Sequence, residues 1–232
     1  HYKFKLTLSK HTPRMMLDCI NDYGLWNHLN RSVIDTLLTI DIIILGFFGY
    51  QKEIASYTIA VKFCSLFSIV PMQIGRSLQV LISNYKNYYE QVKIINSFLK
   101  VNAVACIAQL ILVISAGEYI LYALFGKNIE PDAITYSIIL IVGISVLNLA
   151  YPIIGILNNK CNLKSIFLST YLPIILLGTI FYFMAAYYYG GKGLACVKII
   201  VFTILNSSLA IQVYKNFHFK LDFSLFTHDE RM

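Results

Sequence analysis

Long stretches of mostly apolar residues constrain the fold of this chain more than any other feature. Six occur, at residues 33–50, 55–82, 101–124, 133–157, 166–188 and 194–213. A helix needs about 20 mostly apolar residues to cross the hydrocarbon core of a bilayer. The stretches are too long for the strands of a membrane barrel and lack their period-two alternation. The sequence therefore predicts an all-α, polytopic membrane bundle of about six transmembrane helices.

The composition agrees with this class. Hydrophobic residues make up 57% of the chain and charged residues 13%, against roughly 25% charged in a soluble domain. Residues 1–31 are polar and basic and show no secretory signal. Because the first residue is His1 and not methionine, we expect the chain to begin partway through a longer protein.

The residues that commonly carry catalysis or bind metals form no cluster in the sequence. The five cysteines show no C-x-x-C spacing, and the five histidines avoid the apolar stretches. No nucleotide-binding or hydrolase motif is present. We therefore expect no cofactor, no metal and no enzymatic activity. The net charge of +7 does not indicate a nucleic-acid partner, because the lysines lie mostly in connections between apolar stretches, where membrane topology accounts for them.

Lysine and arginine alternate between connections. The leading segment, residues 83–100, residues 158–165 and the tail are basic, whereas the other connections hold only Lys52, Lys127 and Lys192. Cytoplasmic loops of membrane proteins carry such an excess of positive charge, which places both termini in the cytoplasm. The predicted organisation is a cytoplasmic linker at 1–30, a six-helix transmembrane domain at 31–215 and a cytoplasmic tail at 216–232.

Several short motifs along these stretches resemble a known family. Residues 41–49 (DIIILGFFG) are followed by 53–60 (EIASYTIA), with Ala55 where glycine is usual, and then by Leu124-Phe125-Gly126 and by 189–195 (YGGKGLA). Their order resembles the polysaccharide-biosynthesis flippases, which move O-antigen or oligosaccharide repeat units. These flippases belong to the multidrug, oligosaccharidyl-lipid and polysaccharide exporter superfamily.

The resemblance implies one half of a MATE-like transporter with two six-helix bundles, and this chain corresponds to the C-terminal half. It implies transport of undecaprenyl-pyrophosphate-linked oligosaccharide across the bacterial cytoplasmic (inner) membrane, for assembly of surface polysaccharide such as that of lipopolysaccharide. The implied partners are the lipid-linked oligosaccharide, membrane lipids, and either the missing N-terminal half or a second copy. Parallel repeats of this kind enclose the substrate path between them.

Two charged residues are expected near the middle of the membrane. Counted along ideal helices, Asp41 lies roughly 15 Å from the cytoplasmic face and Lys62 roughly 13 Å from the outer face. A charge at this depth costs at least ~2.5–3.5 kcal/mol and therefore needs a partner or a function. One hypothesis makes Lys62 a substrate-binding contact for the pyrophosphate and gives Asp41 a role in ion coupling. The alternative is a structural Asp41–Lys62 ion pair.

Other polar residues in the stretches leave similar choices open. Arg76 is a candidate substrate-binding residue for first capture of the anionic headgroup. Asp35 is a further candidate for ion coupling or a structural charge, and we expect it to be solvated at the interface. Lys198 is expected about one turn inside the outer edge, with its ammonium reaching the headgroups. The polar residues Gln73, Gln109, Asn148 and Asn206 could line a polar cavity or join helices in lipid.

Two other functions compete with the flippase hypothesis. A multidrug or cation antiporter of the same superfamily would favour carboxylates and aromatic residues over lysine in its path. A membrane-embedded polysaccharide polymerase or ligase would need a sizeable external loop with arginine, histidine or acidic residues, and the longest external connection here is short.

The alternating charges generate a prediction of topology, in which Asn162 is cytoplasmic and Asn128 is external. Single cysteines at these positions, in a chain whose native cysteines are replaced, would be treated with a membrane-impermeant thiol reagent. We expect labelling of intact cells at position 128 and protection at position 162. The reverse pattern would overturn the orientation.

Overall fold

The computed structural model describes residues 23–85, 87–126 and 129–217, and within these ranges all regular structure is helical. A four-residue helix and a π-helical turn, Phe167–Tyr171, lead into the last long helix. The α-helices are α1 (Leu25–Phe47), α2 (Gln51–Leu66), α3 (Ile69–Asn84), α4 (Tyr88–Phe125), α5 (Pro131–Lys160), α6 (Leu163–Ile166) and α7 (Leu172–Phe217).

Four helical stretches in the described ranges are long and apolar enough to cross a membrane: Gln51–Asn84, Tyr88–Phe125, Pro131–Asn159 and Leu163–Asn216. The charged helix α1 is not among them. The prediction of an all-α membrane bundle is thus confirmed, whereas the count of six crossings stays a prediction. Residues 1–22 of the predicted linker and 218–232 of the predicted tail lie outside the described residues, and α1 begins at Leu25, inside the predicted linker.

Helix α7 is bent back on itself at Gly190. This residue has φ +58° and ψ −143°, a left-handed conformation that glycine adopts at little cost. The residues before it form a first arm (172–189) and those after it a second arm (191–217). A Cβ on Gly178 would lie 3.3 Å from Val201 Cγ1, and Gln212 Nε2 donates a hydrogen bond to Ser169 Oγ (3.1 Å). The two arms are therefore antiparallel neighbours.

The predicted stretch 55–82 contains a break that its hydropathy did not reveal. Helix α2 ends at Leu66, and α3 begins at Ile69. The break lies just ahead of Pro71, which has no N–H to donate to the carbonyl of Phe67 one turn earlier. Two side-chain amides, discussed below, take the place of that missing donor.

Close approaches of glycine to backbone fix α5 at the centre of the bundle. A Cβ on Gly75 would lie 2.5 Å from Tyr151 O, and a Cβ on Gly155 would lie 2.5 Å from Gly75 O. On another side of α5, a Cβ on Gly143 would lie 3.3 Å from Ile199 N. Small residues let membrane helices approach closely enough for van der Waals contact to hold them together. Helix α5 thus joins α3 to the second arm of α7.

The two ends of the bundle have separate contacts. At the hairpin end, which carries Gly49 and Gly190, Gly191 N donates to Glu53 Oε2 (2.7 Å). At the opposite end, which we call the base, Asn159 Nδ2 donates to Gln79 O (2.7 Å) and Gln79 Nε2 to the Tyr23 hydroxyl (3.1 Å).

The crossing of α3 and α5 generates a prediction of stability. Gly75→Ala would place a methyl group against the backbone of Tyr151, and overpacking of this kind costs typically ~1–3 kcal/mol. We expect a clear fall in the thermal unfolding midpoint of the purified protein. The matched control is Gly46→Ala in α1, where an added Cβ meets nothing within 4 Å. Equal midpoints for the two variants would contradict the close packing.

Candidate functional site

A fully buried ion pair joins α1 to the second arm of α7. Lys198 Nζ lies 2.6 Å from Asp41 Oδ2 and donates a second hydrogen bond to Leu38 O (2.9 Å). The Tyr57 hydroxyl of α2 donates to the same carboxylate oxygen (2.5 Å). All three side chains are fully buried. The pair therefore connects three helices and carries no net charge.

The ion pair corrects two expectations from the sequence. The Asp41–Lys62 pair is not formed, because Lys62 lies on the exposed side of α2. Lys198 does not reach toward the headgroups. The turn at Gly190 places it eight residues, or about 12 Å, inside the hairpin end. At that depth its ammonium has a carboxylate within reach, which costs less than exposure to hydrocarbon.

Glu53 holds the turn that positions Lys198. Its Oε2 accepts hydrogen bonds from Gly191 N (2.7 Å) and from the Tyr136 hydroxyl (3.1 Å). The ring of Tyr136 packs edge-on against Tyr57, with 5.4 Å between ring centroids. The hairpin end and the ion pair are thus linked through a short chain of buried aromatic residues.

The other charged residues of α1 and α3 are exposed on the outside of the bundle. On α1, Arg31 Nε lies 3.9 Å from Asp35 Oδ2, and these side chains are 51% and 63% exposed. Helices α2 and α3 together form a 34-residue rod that is broken at residues 67–68. It exposes Lys62 on α2 and, one turn apart on α3, Gln73 and Arg76. We call these five residues the charged face.

Two long helical surfaces away from these residues expose mainly apolar side chains, as contact with lipid requires. Helix α4 exposes Val101, Val104, Ile107 and Ile111. The first arm of α7 exposes Leu176, Leu177, Ile180 and Phe181. A charged side chain directed into hydrocarbon is costly, so charged residues in membrane helices almost always face the bundle interior or a water-filled cavity. The charged face is therefore the side of the bundle that lipid alone does not suit.

At the base, the charged face opens into a cleft of about 320 Å³. Arg31 and Arg76 line it from α1 and α3, and no aspartate or glutamate is among its lining residues. Apolar side chains of Ile34, Met72 and Ile154 form part of the wall. Neutral polar side chains form another part: Asn27, Asn30, Gln79, Tyr151, Asn158 and Tyr171. Two guanidinium groups with nearby amides are hydrogen-bond donors suited to phosphate or carboxylate oxygens.

The structure thus brings together some of the predicted site residues and separates others. Arg76 shares the cleft with Arg31, which was not among the candidate site residues. Asp35 is paired with Arg31 one turn away, and Asp41 is sealed in the core with Lys198. Lys62 precedes Arg76 by 14 residues, roughly 20 Å along the rod. Asn30 and Asn158 were missed, since asparagines near helix ends are common and carry no pattern.

In the described ranges, no group of three or more histidine, cysteine, aspartate or glutamate side chains could hold a metal ion. Comparisons of the chain with protein-family models, with curated proteins and with solved structures found no match.

The buried pair generates a prediction of stability. Lys198→Met would leave the Asp41 carboxylate without its cationic partner in a low dielectric, and loss of one partner of a buried pair costs about 3–5 kcal/mol. We expect a large drop in the thermal midpoint and in the amount of protein in the membrane.

Two further variants complete that experiment. Combining Lys198→Met with Asp41→Asn removes both charges, keeps an acceptor for Tyr57, and should recover much of the loss. Lys62→Met, on the exposed side of α2, is the matched control and should change the midpoint little. A Lys198→Met protein as stable as this control would show that the ion pair is unimportant.

Proposed function

We propose that this protein is one half of a membrane transporter that moves an anionic lipid-linked oligosaccharide across the bacterial cytoplasmic membrane. The observation that carries the proposal is the charged face, on a bundle whose α4 and α7 surfaces are apolar. The guanidinium groups of Arg31 and Arg76 suit the diphosphate of an undecaprenyl-pyrophosphate carrier. The motifs that resemble polysaccharide flippases support the same substrate class.

The proposal includes six crossings with both termini in the cytoplasm. Helix α1 has 23 residues, or about 34 Å, which is enough to span a core ~30 Å thick. The antiparallel arms of α7 supply two more crossings. Under this topology the base lies on the cytoplasmic side, where a lipid-linked precursor made in the cytoplasm would first meet the cleft.

The charged face also requires something opposite it. In a transporter built from two bundles, the path lies between the bundles near the repeat axis. We propose that a second six-helix bundle, either an N-terminal half or a second copy of this chain, faces α1, α2 and α3. Alternating tilts of the two bundles would expose Arg76 and then Lys62 to the substrate, without covalent chemistry.

The competing functions fit the described structure less well. A cation antiporter would place unpaired carboxylates in its path, whereas the cleft is lined by Arg31 and Arg76 and by no acidic residue. A polymerase or ligase would need an extended external loop, and the described connections between helices are short.

Direct binding tests the substrate class. Purified protein would be titrated with undecaprenyl diphosphate in detergent micelles, with intrinsic fluorescence or native mass spectrometry as the readout. Each charge-assisted hydrogen bond to the diphosphate contributes ~1.5–3 kcal/mol. We therefore expect Arg76→Ala, in the cleft that first meets the substrate, to weaken binding about tenfold or more. Lys62, roughly 20 Å away, is tested by transport instead, where Lys62→Ala should abolish activity and Lys62→Arg should keep part of it.

The control is Lys93→Ala, since Lys93 is also exposed but lies on α4, away from the charged face. An equal loss in this variant would indicate general attraction to anions. Absence of binding by the wild-type chain, or preference for a cationic dye, would refute the substrate class. Transport itself would be scored as surface polysaccharide in a flippase-deficient strain. The chain expressed alone should fail there unless two copies assemble.

A further inference from the structure

Two prolines leave two backbone carbonyls without helical donors, and both carbonyls lie in one place inside the bundle. Pro71 cannot donate to Phe67 O, and Pro152 cannot donate to Asn148 O, because proline has no N–H. Gln109 Nε2 donates to Phe67 O instead (2.7 Å), and Asn102 Nδ2 donates to Asn148 O (3.0 Å). These contacts join the α2–α3 break to α4 and α5.

The same region holds oxygen atoms that have no partner. Asn148 Nδ2 donates to Phe67 O (3.4 Å) and to Gln109 Oε1 (3.2 Å), which leaves Asn148 Oδ1 free. Among the described residues, Ser68 Oγ, Asn102 Oδ1, Ser145 Oγ and Asn148 Oδ1 are all buried without a hydrogen-bond partner. The exposed fractions of these four residues are 8%, 1%, 3% and 0%.

Hydrogen bonds and chain connections place these residues in one region of the bundle. Ser68 follows Phe67 directly. Ser145 precedes Asn148 by three residues, which puts both side chains on the same side of α5. We call Phe67, Ser68, Asn102, Gln109, Ser145 and Asn148 the break cluster. Each of its two asparagines donates through nitrogen and leaves an oxygen that can only accept.

We propose that the break cluster binds an alkali-metal cation. The two asparagine oxygens need a donor or a positive charge, and neither serine hydroxyl donates to them in the described structure. Neutral oxygens are ligands of hard cations. Oxygen atoms beside an interrupted membrane helix coordinate Na⁺ in transporters. Here Phe67 O and Asn148 O already accept amide hydrogen bonds, so the side-chain oxygens without a partner are the proposed ligands. A divalent ion is a poorer fit, because Ca²⁺ and Mg²⁺ sites rely on carboxylates, and the cluster contains none.

The break cluster is separate from the charged face, and the proposed cation site does not depend on which substrate the charged face binds. The cation would hold the start of α3 to α4 and α5 at the point where the rod is interrupted. Arg76 lies on the same helix about two turns further along. Occupancy of the cluster would therefore restrict movement of a helix that lines the cleft.

The experiment measures thermal unfolding of the full chain in detergent at constant ionic strength, with choline chloride replaced stepwise by NaCl or KCl. We expect the unfolding midpoint to rise saturably by about 5 °C or more once the concentration of Na⁺ or K⁺ exceeds its Kd a hundredfold. Binding of ²²Na⁺ at equilibrium, with one ion per chain, gives an independent readout.

Ser145→Ala and Ser68→Ala are the informative variants, because each removes an oxygen that makes no hydrogen bond in the described structure. Both variants should be at least as stable as the wild type in choline chloride. Each should need about tenfold more cation to reach the same rise in unfolding midpoint. Ser137→Ala is the matched control: Ser137 is buried on α5, but its Oγ already donates to Ala133 O (2.7 Å). Its cation dependence should be unchanged.

Identical midpoints in choline, sodium and potassium, together with no bound ²²Na⁺, would show that ordered water fills the cluster and would overturn the proposal. The proposal would also fail if Ser145→Ala, Ser68→Ala and Ser137→Ala all responded to cation like the wild type.

Discussion

The ion pair between Asp41 and Lys198 is the interaction on which the rest of the structure depends. An unpaired charge is costly in free energy within a membrane. Helix α1 and the second arm of α7 must therefore hold Asp41 and Lys198 at the same depth, with the two side chains facing each other. Tyr57 and the carbonyl of Leu38 complete the hydrogen bonds of the pair. Once Asp41 points inward, Arg31 and Asp35 are left exposed, because they lie about 80° and 120° around α1 from Asp41. The buried pair and the charged face therefore follow from one rotational setting of α1.

Helix α5 supports this arrangement from the other side of the bundle. Its glycines allow α3 and the second arm of α7 to approach within backbone contact, so the helix that carries Arg76 and the helix that carries Lys198 share one neighbour. Prolines in α3 and α5 interrupt the main-chain hydrogen bonds, and amide side chains replace them. Helix α3 thus has the charged face on one side and the break cluster at its beginning.

These features give the proposed transport a physical basis. A bundle that crosses a membrane and leaves arginine and lysine exposed needs a wet cavity or a second bundle beside it. The cleft at the base offers donors for an anion, and Lys62 offers a further cation nearer the hairpin end. The ion pair is not available to the substrate, because it is sealed in the core. Asp41 and Lys198 therefore serve the architecture of the bundle, whereas Arg31, Arg76 and Lys62 are the residues that we propose for the substrate.

The sequence by itself determined the class of protein, because apolar stretches of bilayer length admit few other folds and because hydropathy is a local property. It also located Asp41, Lys62, Asp35 and Arg76 as the charges that need an explanation. Their partners depended on helix rotation and on the contacts between helices distant in sequence. Only the tertiary structure paired Asp41 with Lys198, 157 residues away, and placed Arg31 beside Arg76. The break at Phe67 was equally hidden, because a proline in an apolar stretch does not reveal which distant amides will replace its missing donor.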